Sequence, residues 1–390
     1  MVKNKIISAF PHINMRDFFR SSKNEDPILG SKKFYLYASG RAALYHGIQS
    51  LDLPVGSHVL LPSFHCGVEV EAVIRAGCHV EFYNIKRDLS IDMPDLLKRV
   101  NKQTKALVVI HYFGFPQPME EIIQLCNEKG LYLIEDCAHA LYSGYNNKSL
   151  GTFGSLGIFS LRKTIPLPNG GGILINKKGI PVPGAAKKYT DMALVKSTAR
   201  SILEFGSTRN TMKGKLAKYA LSKYRSMTGS DLTEAENLKT EDMHWYYNVP
   251  RYDYQHDIWF LSRPFIKSQY YEDIVRKRQM NYRILKGLIH ESKTLKPVFP
   301  YLSNGVCPLC FPIIVDQSDH FVRDLNRKGI LPFVFGRFCH PLMNKANYPD
   351  AYFLSKSILG LPVHQQLGRE EMYIIDEAIN EISRKNGKTN

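Results

Sequence analysis

Asp136 and Lys163 could carry out chemistry on amines, because each is a residue type used for it and each stands at the end of an apolar run. Lys163 follows an apolar run, residues 157–161, and precedes a stretch rich in proline and glycine. A lysine held between two buried strands is desolvated, which lowers the pKa of its amine and allows a Schiff base with a carbonyl compound. Asp136 ends the apolar run 131–134, at the strand end where open α/β sheets bind ligands. The alternatives without chemistry are that Lys163 is a solvated loop lysine and that Asp136 caps the next segment.

A site for an anion is predicted where the regular part of the chain begins. A short strand over residues 34–37 leads into Ser39, Gly40 and Arg41, and a helix is predicted over residues 42–51. A Ser-Gly turn at a helix N-terminus presents unpaired backbone N–H groups and the positive end of the helix dipole, which suits a phosphate. Arg41 adds a positive charge, although ordinary capping by Ser39 explains the same pattern.

The elements that must position these residues alternate regularly. Between residues 34 and 175, strand-like runs of about five residues are separated by helical segments of about ten. This pattern predicts right-handed β-α-β crossovers and a mostly parallel sheet, so the fold class is α/β. Because parallel strands end at one edge, the ligand is expected there, among Ser39, Phe64, His111, Asp136 and Lys163.

The C-terminal part of the chain has a different pattern. Strand signals at residues 309–315 and 330–335 and helical signals at 320–328 and 370–382 predict a smaller α+β lobe. We therefore predict two domains. Residues 1–245 form a large α/β domain that includes a basic insertion at about 187–225, and residues 246–390 form the small domain.

Composition excludes several classes of protein. With 390 residues and 44% hydrophobic content the chain can bury a substantial core. No apolar run approaches the roughly 20 residues of a membrane span, and the first residues lack a signal-peptide core, so a cytoplasmic protein is expected. The seven cysteines are scattered, and the single CxxC, Cys307 to Cys310, lies in an apolar run. Buried strand cysteines are expected there, and no metal.

Much of the net charge of +16 is concentrated between residues 187 and 225, where ten Lys or Arg residues and only two acidic residues, Asp191 and Glu204, give a local surplus of eight positive charges. A solvated helical face is one explanation, and a surface for phosphate-bearing ligands or lipid head groups is another. No nucleic-acid partner is predicted, because aromatic platforms are not interleaved with the basic residues. Contact with a membrane surface stays open.

Eight short motifs, in order, resemble the DegT/DnrJ/EryC1/StrS family, the pyridoxal-phosphate sugar aminotransferases of fold type I. The motifs are SGRAAL (39–44), LLPSF (60–64), HYFGFP (111–116), IEDCAHA (134–140), FSLRK (159–163), NGGG (169–172), CHPL (339–342) and LPVH (361–364). The resemblance implies a large lobe with a mostly parallel sheet flanked by helices and a smaller C-terminal lobe. It also implies a homodimer with its active sites at the subunit interface.

The resemblance assigns roles to particular residues. Lys163 matches the lysine that binds pyridoxal 5'-phosphate covalently and moves a proton, and Asp136 matches the carboxylate beside the pyridine nitrogen. His139 matches the residue near the phenolic oxygen of the cofactor. The phosphate is expected among Ser39, Gly40, Arg41 and Ser160, where the argument from the helix N-terminus agrees.

Three positions depart from the family pattern. The FSLRK segment is two residues shorter than usual between Ser160 and Lys163, which places the contact of Ser160 with phosphate in doubt. Cys66 stands where many members have an aromatic residue over the cofactor ring, so Phe64 or His65 is expected there instead. Asp253 stands where a neighbouring subunit usually contributes an Asn to the phosphate, and a carboxylate there would repel it.

The resemblance predicts an aminotransferase that converts a nucleotide-linked keto sugar to an amino sugar, with glutamate as amino donor. Such products enter surface polysaccharides, including O-antigen. The alternatives are a transaminase for a non-nucleotide cyclic ketone and a pyridoxamine-dependent sugar dehydratase. Dehydratases of this kind carry histidine in place of the lysine, so Lys163 argues against them. A basic protein that binds nucleic acid or a membrane without catalysis is the alternative from another class.

Overall fold

The computed structural model describes residues 6–19, 26–181, 184, 187, 192–207, 212–228, 254–267, 270–292, 294–316, 318–337 and 339–386. The strands are β1 (Phe34–Tyr37), β2 (His58–Pro62), β3 (His79–Tyr83), β4 (Thr104–Ile110), β5 (Tyr132–Asp136), β6 (Gly144–Tyr145), β7 (Lys148–Ser149), β8 (Leu156–Ser160), β9 (Gly171–Ile175), β10 (Leu295–Pro297), β11 (Cys310–Val315) and β12 (Ile358–Pro362). The helices are α1 (Met15–Phe18), α2 (Gly40–Ser50), α3 (Val68–Arg75), α4 (Met93–Arg99), α5 (Met119–Lys129), α6 (Met192–Ser207), α7 (Met212–Thr228), α8 (Ser262–Lys267), α9 (Tyr271–Leu288), α10 (Ser318–Arg327), α11 (Pro349–Ser357) and α12 (Arg369–Asn386).

The large sheet has seven strands in the order β1-β9-β8-β5-β4-β2-β3. Parallel pairing joins β3 to β2, β2 to β4, β4 to β5 and β5 to β8, whereas β9 runs antiparallel to both its neighbours. The inner strands β4, β5 and β8 are mostly apolar and almost wholly buried, as expected for parallel strands covered on both faces. The mostly parallel α/β sheet predicted from the sequence is confirmed.

The pairing register brings the ends of three strands together. Gly171, the first residue of β9, is paired with Tyr37 on one side and with Ser160 on the other. Asp136, the last residue of β5, is paired with Ile158 of β8. The turn after β1, the turn after β8 and the end of β5 therefore lie at one edge of the sheet.

A buried carboxylate, Glu135, holds the loop that leads into β8. It accepts hydrogen bonds from the backbone N–H groups of Gly151, Phe153 and Gly154 at 2.6–2.8 Å. The fully buried imidazole of His111 lies 3.2 Å from the same carboxylate. His111 stands at the predicted edge but is engaged in this internal network, so it stabilises the loop.

The small sheet, β10-β11-β12, is antiparallel and is packed by α9 and by helices near the C-terminus. The strand-like run 330–335 forms no strand. It makes two isolated bridges, Ile330 with Ile7 and Phe333 with Gly360, and Pro332 between them has no N–H to continue a ladder. The sheet is completed instead by β10 and β12, neither of which the sequence pattern revealed.

Three further sequence predictions can be compared with the fold. Cys307 and Cys310 are buried free cysteines, and Cys310 opens β11 as predicted. The division into domains at residue 245 stays a prediction, because that position lies outside the described residues. Over the residues that the structure describes, no helix is both long and apolar enough to cross a bilayer.

Candidate active site

A cavity of about 330 Å³ opens at the edge where the strand ends meet. Six residues predicted from the sequence are among those that line it: Ser39, Gly40, Arg41, Asp136, Ser160 and Lys163. They come from the turn after β1, the end of β5 and the turn after β8, which the pairing of β1, β5, β8 and β9 brings together. The volume suits a small cofactor with part of its substrate.

One end of the cavity is built by the N-terminus of α2. The Ser39 side chain accepts a hydrogen bond from the Ala42 N–H at 3.2 Å and caps the helix. Arg41, in the first turn, also faces the cavity, and Ser160 lies against Gly40. This end therefore combines backbone donors, the positive dipole end and a guanidinium, the surroundings that a phosphate requires.

Close backbone packing at this end depends on Gly171. A Cβ atom on Gly171 would lie 2.1 Å from the Ser39 carbonyl carbon and 2.3 Å from the Gly40 nitrogen. Both contacts are to backbone, so no side-chain rotation relieves them. The absence of a side chain at residue 171 is thus what lets the helix N-terminus stand beside β9.

Replacing Gly171 by alanine is expected to displace the Ser39–Gly40 turn and to lower the free energy of unfolding by at least about 1–3 kcal/mol, as overpacking does. Urea unfolding measures this. Gly287→Ala is the matched control, because a Cβ there meets nothing within 4 Å and the position lies in α9. Equal effects of the two substitutions would contradict the account.

Lys163 ends a short 3₁₀ turn, Leu161–Lys163, that follows β8 directly. Its side chain is half-buried, and burial lowers the pKa of the amine, although nearby Cys66 and Asp136 oppose this shift. The amine lies 5.7 Å from the centre of the Phe333 ring. Fully buried Arg278 donates to the Thr164 carbonyl at 3.3 Å and to the Lys163 carbonyl at 3.5 Å, which fixes the turn.

Asp136 is buried at the end of β5, and one of its oxygens accepts from the Ala138 N–H at 2.8 Å. Burial, together with the nearby carboxylate of Glu69, raises the pKa of Asp136 to about 7. A cation that entered the cavity beside it would find a buried carboxylate with which to pair.

The cofactor-free protein should become less stable as the pH rises from about 4 to about 7. Asp136 is protonated in the folded state and ionised in the unfolded state over this interval, so folding takes up a proton that is lost above pH 7. The difference in unfolding free energy between wild type and Asp136→Asn should change by about 1.4 kcal/mol per pH unit. Urea unfolding at a series of pH values checks it, and a constant difference would contradict the prediction.

Cys66 and Glu69 are among the cavity residues that were not predicted as functional. The Cys66 thiol lies 3.0 Å from one carboxylate oxygen of Glu69 and donates to that buried carboxylate. Burial, followed by the nearby charge of Glu69, raises the pKa of the Cys66 thiol well above its ordinary value. The spacing of three residues across the start of α3 was the available signal, but the same spacing occurs in any helical first turn.

Phe64 and His65 do not line this cavity in the structure. Phe64 packs against Tyr112 and Phe335, and His65 packs edge-on against Phe82. The expectation that one of them covers a cofactor ring is therefore not supported. Between β2 and α3 the chain places Cys66 at the cavity and its two predecessors in the core, and Gly67, with φ at +88°, then begins α3 in a conformation that favours glycine.

His139 lies behind the cavity wall in an aromatic cluster. Its ring stacks on Phe113 at 5.6 Å and meets Phe335 edge-on at 4.5 Å, and its Nδ1 accepts from the Phe113 N–H at 3.3 Å. Burial and the charge of Lys163 hold the pKa of His139 well below its usual value. The imidazole is neutral there, and its contact with a cofactor stays a prediction.

Two predicted features lie wholly or partly beyond the described residues. Asp253 is outside them. The basic segment 187–225 is described at residue 187, in α6 and in the part of α7 that it includes.

Comparison with known proteins gives this site a context. Residues 28–180 match the model of the DegT/DnrJ/EryC1/StrS aminotransferase family, which confirms the resemblance drawn from the motifs. A GDP-perosamine synthase from Vibrio cholerae is 34% identical over 142 residues, 36% of this chain and 39% of the relative. A dTDP-4-dehydro-2,3,6-trideoxy-D-glucose 4-aminotransferase from Saccharopolyspora spinosa is 36% identical over 135 residues, 34% of this chain and 35% of the relative. The matches thus span less than two fifths of these relatives' length.

A solved structure extends the comparison to the whole chain. Helicobacter pylori PseC, an aminotransferase involved in the biosynthesis of pseudoaminic acid, has a TM-score of 0.64 at 17% identity. The alignment covers 97% of this chain and 99% of that one. The fold type I architecture is therefore confirmed over the large and the small sheet.

Proposed function

We propose that this protein is an aminotransferase dependent on pyridoxal 5'-phosphate. The proposal starts from residues 28–180, which match the model of the DegT/DnrJ/EryC1/StrS aminotransferase family. The observation that carries the proposal is the single cavity that brings Lys163, Asp136 and the N-terminus of α2 together. An amine, a buried carboxylate and an anion site are the three features such a cofactor needs. Each has a counterpart in the cavity wall.

The residues present fit this cofactor in charge and in shape. Ser39, Gly40, Arg41 and Ser160 supply donors for a phosphate, and Gly171 leaves room for the backbone that carries them. Asp136 would hold the pyridine nitrogen. When bound, pyridoxal phosphate supplies an aldehyde that captures amines and a protonated ring that accepts electrons from the substrate carbon.

The residues of the chain then divide the work. Lys163 would hold the cofactor covalently through its amine, whose lowered pKa makes the neutral, nucleophilic form more accessible. The same amine would accept and return a proton at the reacting carbon of a bound substrate. Asp136 would be ionised by a cationic ring nitrogen beside it and would keep that nitrogen protonated. Arg278 holds the Lys163 turn so that the amine remains in place.

The substrate is a nucleotide-linked keto sugar, and the amino donor is an amino acid, glutamate. Support comes from the names of the two relatives, both of which concern nucleotide-linked sugars. Arg41 and Arg162 line the cavity, and the chain carries a net charge of +16, which favours an anionic substrate. The product enters surface polysaccharide such as O-antigen.

The assembly proposed is a homodimer with the active sites at the subunit interface, and the cytoplasmic location expected from the sequence is part of the same proposal. Light scattering on the purified protein should give the mass of two chains. A monomer that is fully active would remove the dimer from the proposal.

The test of the chemistry is the absorption spectrum of the purified protein with pyridoxal phosphate, before and after glutamate. A protein-dependent visible band that fades with glutamate is expected, and a nucleotide-linked keto sugar should restore it. No protein-dependent band would overturn the proposal. A band that fades with glutamate but is restored only by a keto compound without a nucleotide would overturn the substrate assignment alone.

A further inference from the structure

Helix α7 exposes large apolar side chains on its outer face. Leu216 is 64% exposed and Tyr219 is 63% exposed. Together with Lys223 they are spaced by three and four residues, so all three lie on one side of the helix. Lys215, adjacent in sequence, is also exposed, and the Lys223 amine lies 5.9 Å from the centre of the Tyr219 ring. We call this set, Lys215, Leu216, Tyr219 and Lys223, the outer face of α7.

The inner face of the same helix carries smaller residues. Gly214 and Leu221 are buried and Ala217 is half-buried, and this stripe lies on the opposite side of the helix. Gly206 of α6 stands against Ala217, so the two helices pack through small side chains. A solvent-exposed helix ordinarily turns its large apolar residues inward. In α7 a leucine and a tyrosine point outward, which indicates a surface that contacts something else.

The charge of α7 narrows the choice of partner. Its 17 residues include five Lys or Arg residues and no Asp or Glu. A second copy that met this face through the same face would bring two strongly positive helices together, which like-charge repulsion opposes. Exposed lysines beside an exposed leucine and tyrosine suit an anionic lipid surface, whose head groups attract the ammonium groups and whose acyl boundary accepts apolar side chains.

We infer that the outer face of α7 docks on an anionic lipid surface. Leu216 and Tyr219 enter the boundary between head groups and acyl chains, while Lys215 and Lys223 pair with the phosphates of the lipids. The contact is peripheral and involves none of the cavity residues. It does not depend on the proposed chemistry, so either can fail without the other.

Co-sedimentation of the full-length protein with vesicles tests the inference. Vesicles of phosphatidylcholine containing about one third phosphatidylglycerol should bind the protein at least about tenfold better than phosphatidylcholine alone. Leu216→Ser with Tyr219→Ser, and separately Lys215→Gln with Lys223→Gln, should each lower the partition coefficient by about tenfold. Circular dichroism verifies that the variants are folded.

Matched controls carry the same substitutions elsewhere on the surface. Leu97→Ser with Tyr301→Ser, and Lys86→Gln with Lys129→Gln, replace exposed residues of the same types and should leave binding unchanged. Binding that survives either pair of substitutions in α7, or no preference for anionic vesicles, would overturn the inference. A change of oligomeric mass in the Leu216 and Tyr219 variant, without vesicle binding by wild type, would assign the face to a contact between copies and overturn it as well.

Discussion

Replacing Lys163 by alanine is expected to reduce the rate of amino-group transfer by at least about ten-thousand-fold, because the positioned amine acts both as nucleophile and as proton carrier. The same change should remove the protein-dependent visible band with pyridoxal phosphate. Rapid-mixing spectroscopy with glutamate measures the rate, and the static spectrum measures the band.

Two variants separate this effect from loss of charge or of structure. Lys163→Arg keeps a positive charge in the cavity but lacks a nucleophilic amine, so it should be as inactive as the alanine variant. Lys177→Ala removes an exposed lysine just after β9 and should be fully active. A Lys163→Ala protein that retained the band and the rate would return Lys163 to the status of an ordinary loop lysine.

Replacing Asp136 by asparagine should produce the second largest loss. The change keeps the shape of the side chain but removes the charge that would pair with a protonated ring nitrogen. Loss of one partner of a buried ion pair costs about 3–5 kcal/mol. We therefore expect about a hundred-fold to several-thousand-fold reduction in the transfer rate. The half-reaction with glutamate, followed by absorbance, measures it.

Two controls check that the charge of Asp136 is responsible: a matched substitution of a surface carboxylate and the pH dependence of stability. Asp350→Asn breaks an exposed ion pair with Arg87 and should leave the rate unchanged. In the cofactor-free state the Asp136→Asn variant should also lack the fall in stability between about pH 4 and about pH 7 that burial imposes on wild type. A variant that lost activity but kept the wild-type pH dependence of stability would show that Asp136 does not titrate in this range.

The sequence alone located the strands of the large sheet and six of the residues that line the candidate site. Alternation of short apolar runs with helical segments is a local signal, and it located β1, β5 and β8 to within two residues. Ser39, Asp136 and Lys163 follow the ends of these strands, and the ends of parallel strands must share an edge. The alternating pattern predicts a mostly parallel sheet, and such a sheet brings these three residues into one cavity.

Only the tertiary structure decided which neighbouring side chains enter the cavity. Cys66 and Glu69 line it while Phe64 and His65 do not, because the direction of the chain between β2 and α3 leaves no periodic pattern in the sequence. The outer face of α7 is likewise invisible in sequence. A pattern of lysine, leucine and tyrosine fits a buried stripe equally well until packing against α6 shows which side of the helix is covered.

The C-terminal lobe shows the same division. Phe333 approaches Lys163 and His139 because its backbone pairs with Gly360 in β12, and such long-range pairing leaves no local trace in either segment. Strand periodicity and the residues at strand ends depend on neighbouring positions in the chain, so they can be predicted from the sequence. Loop direction, partner strands and covered faces depend on contacts between distant segments, so they emerge only when the chain is folded.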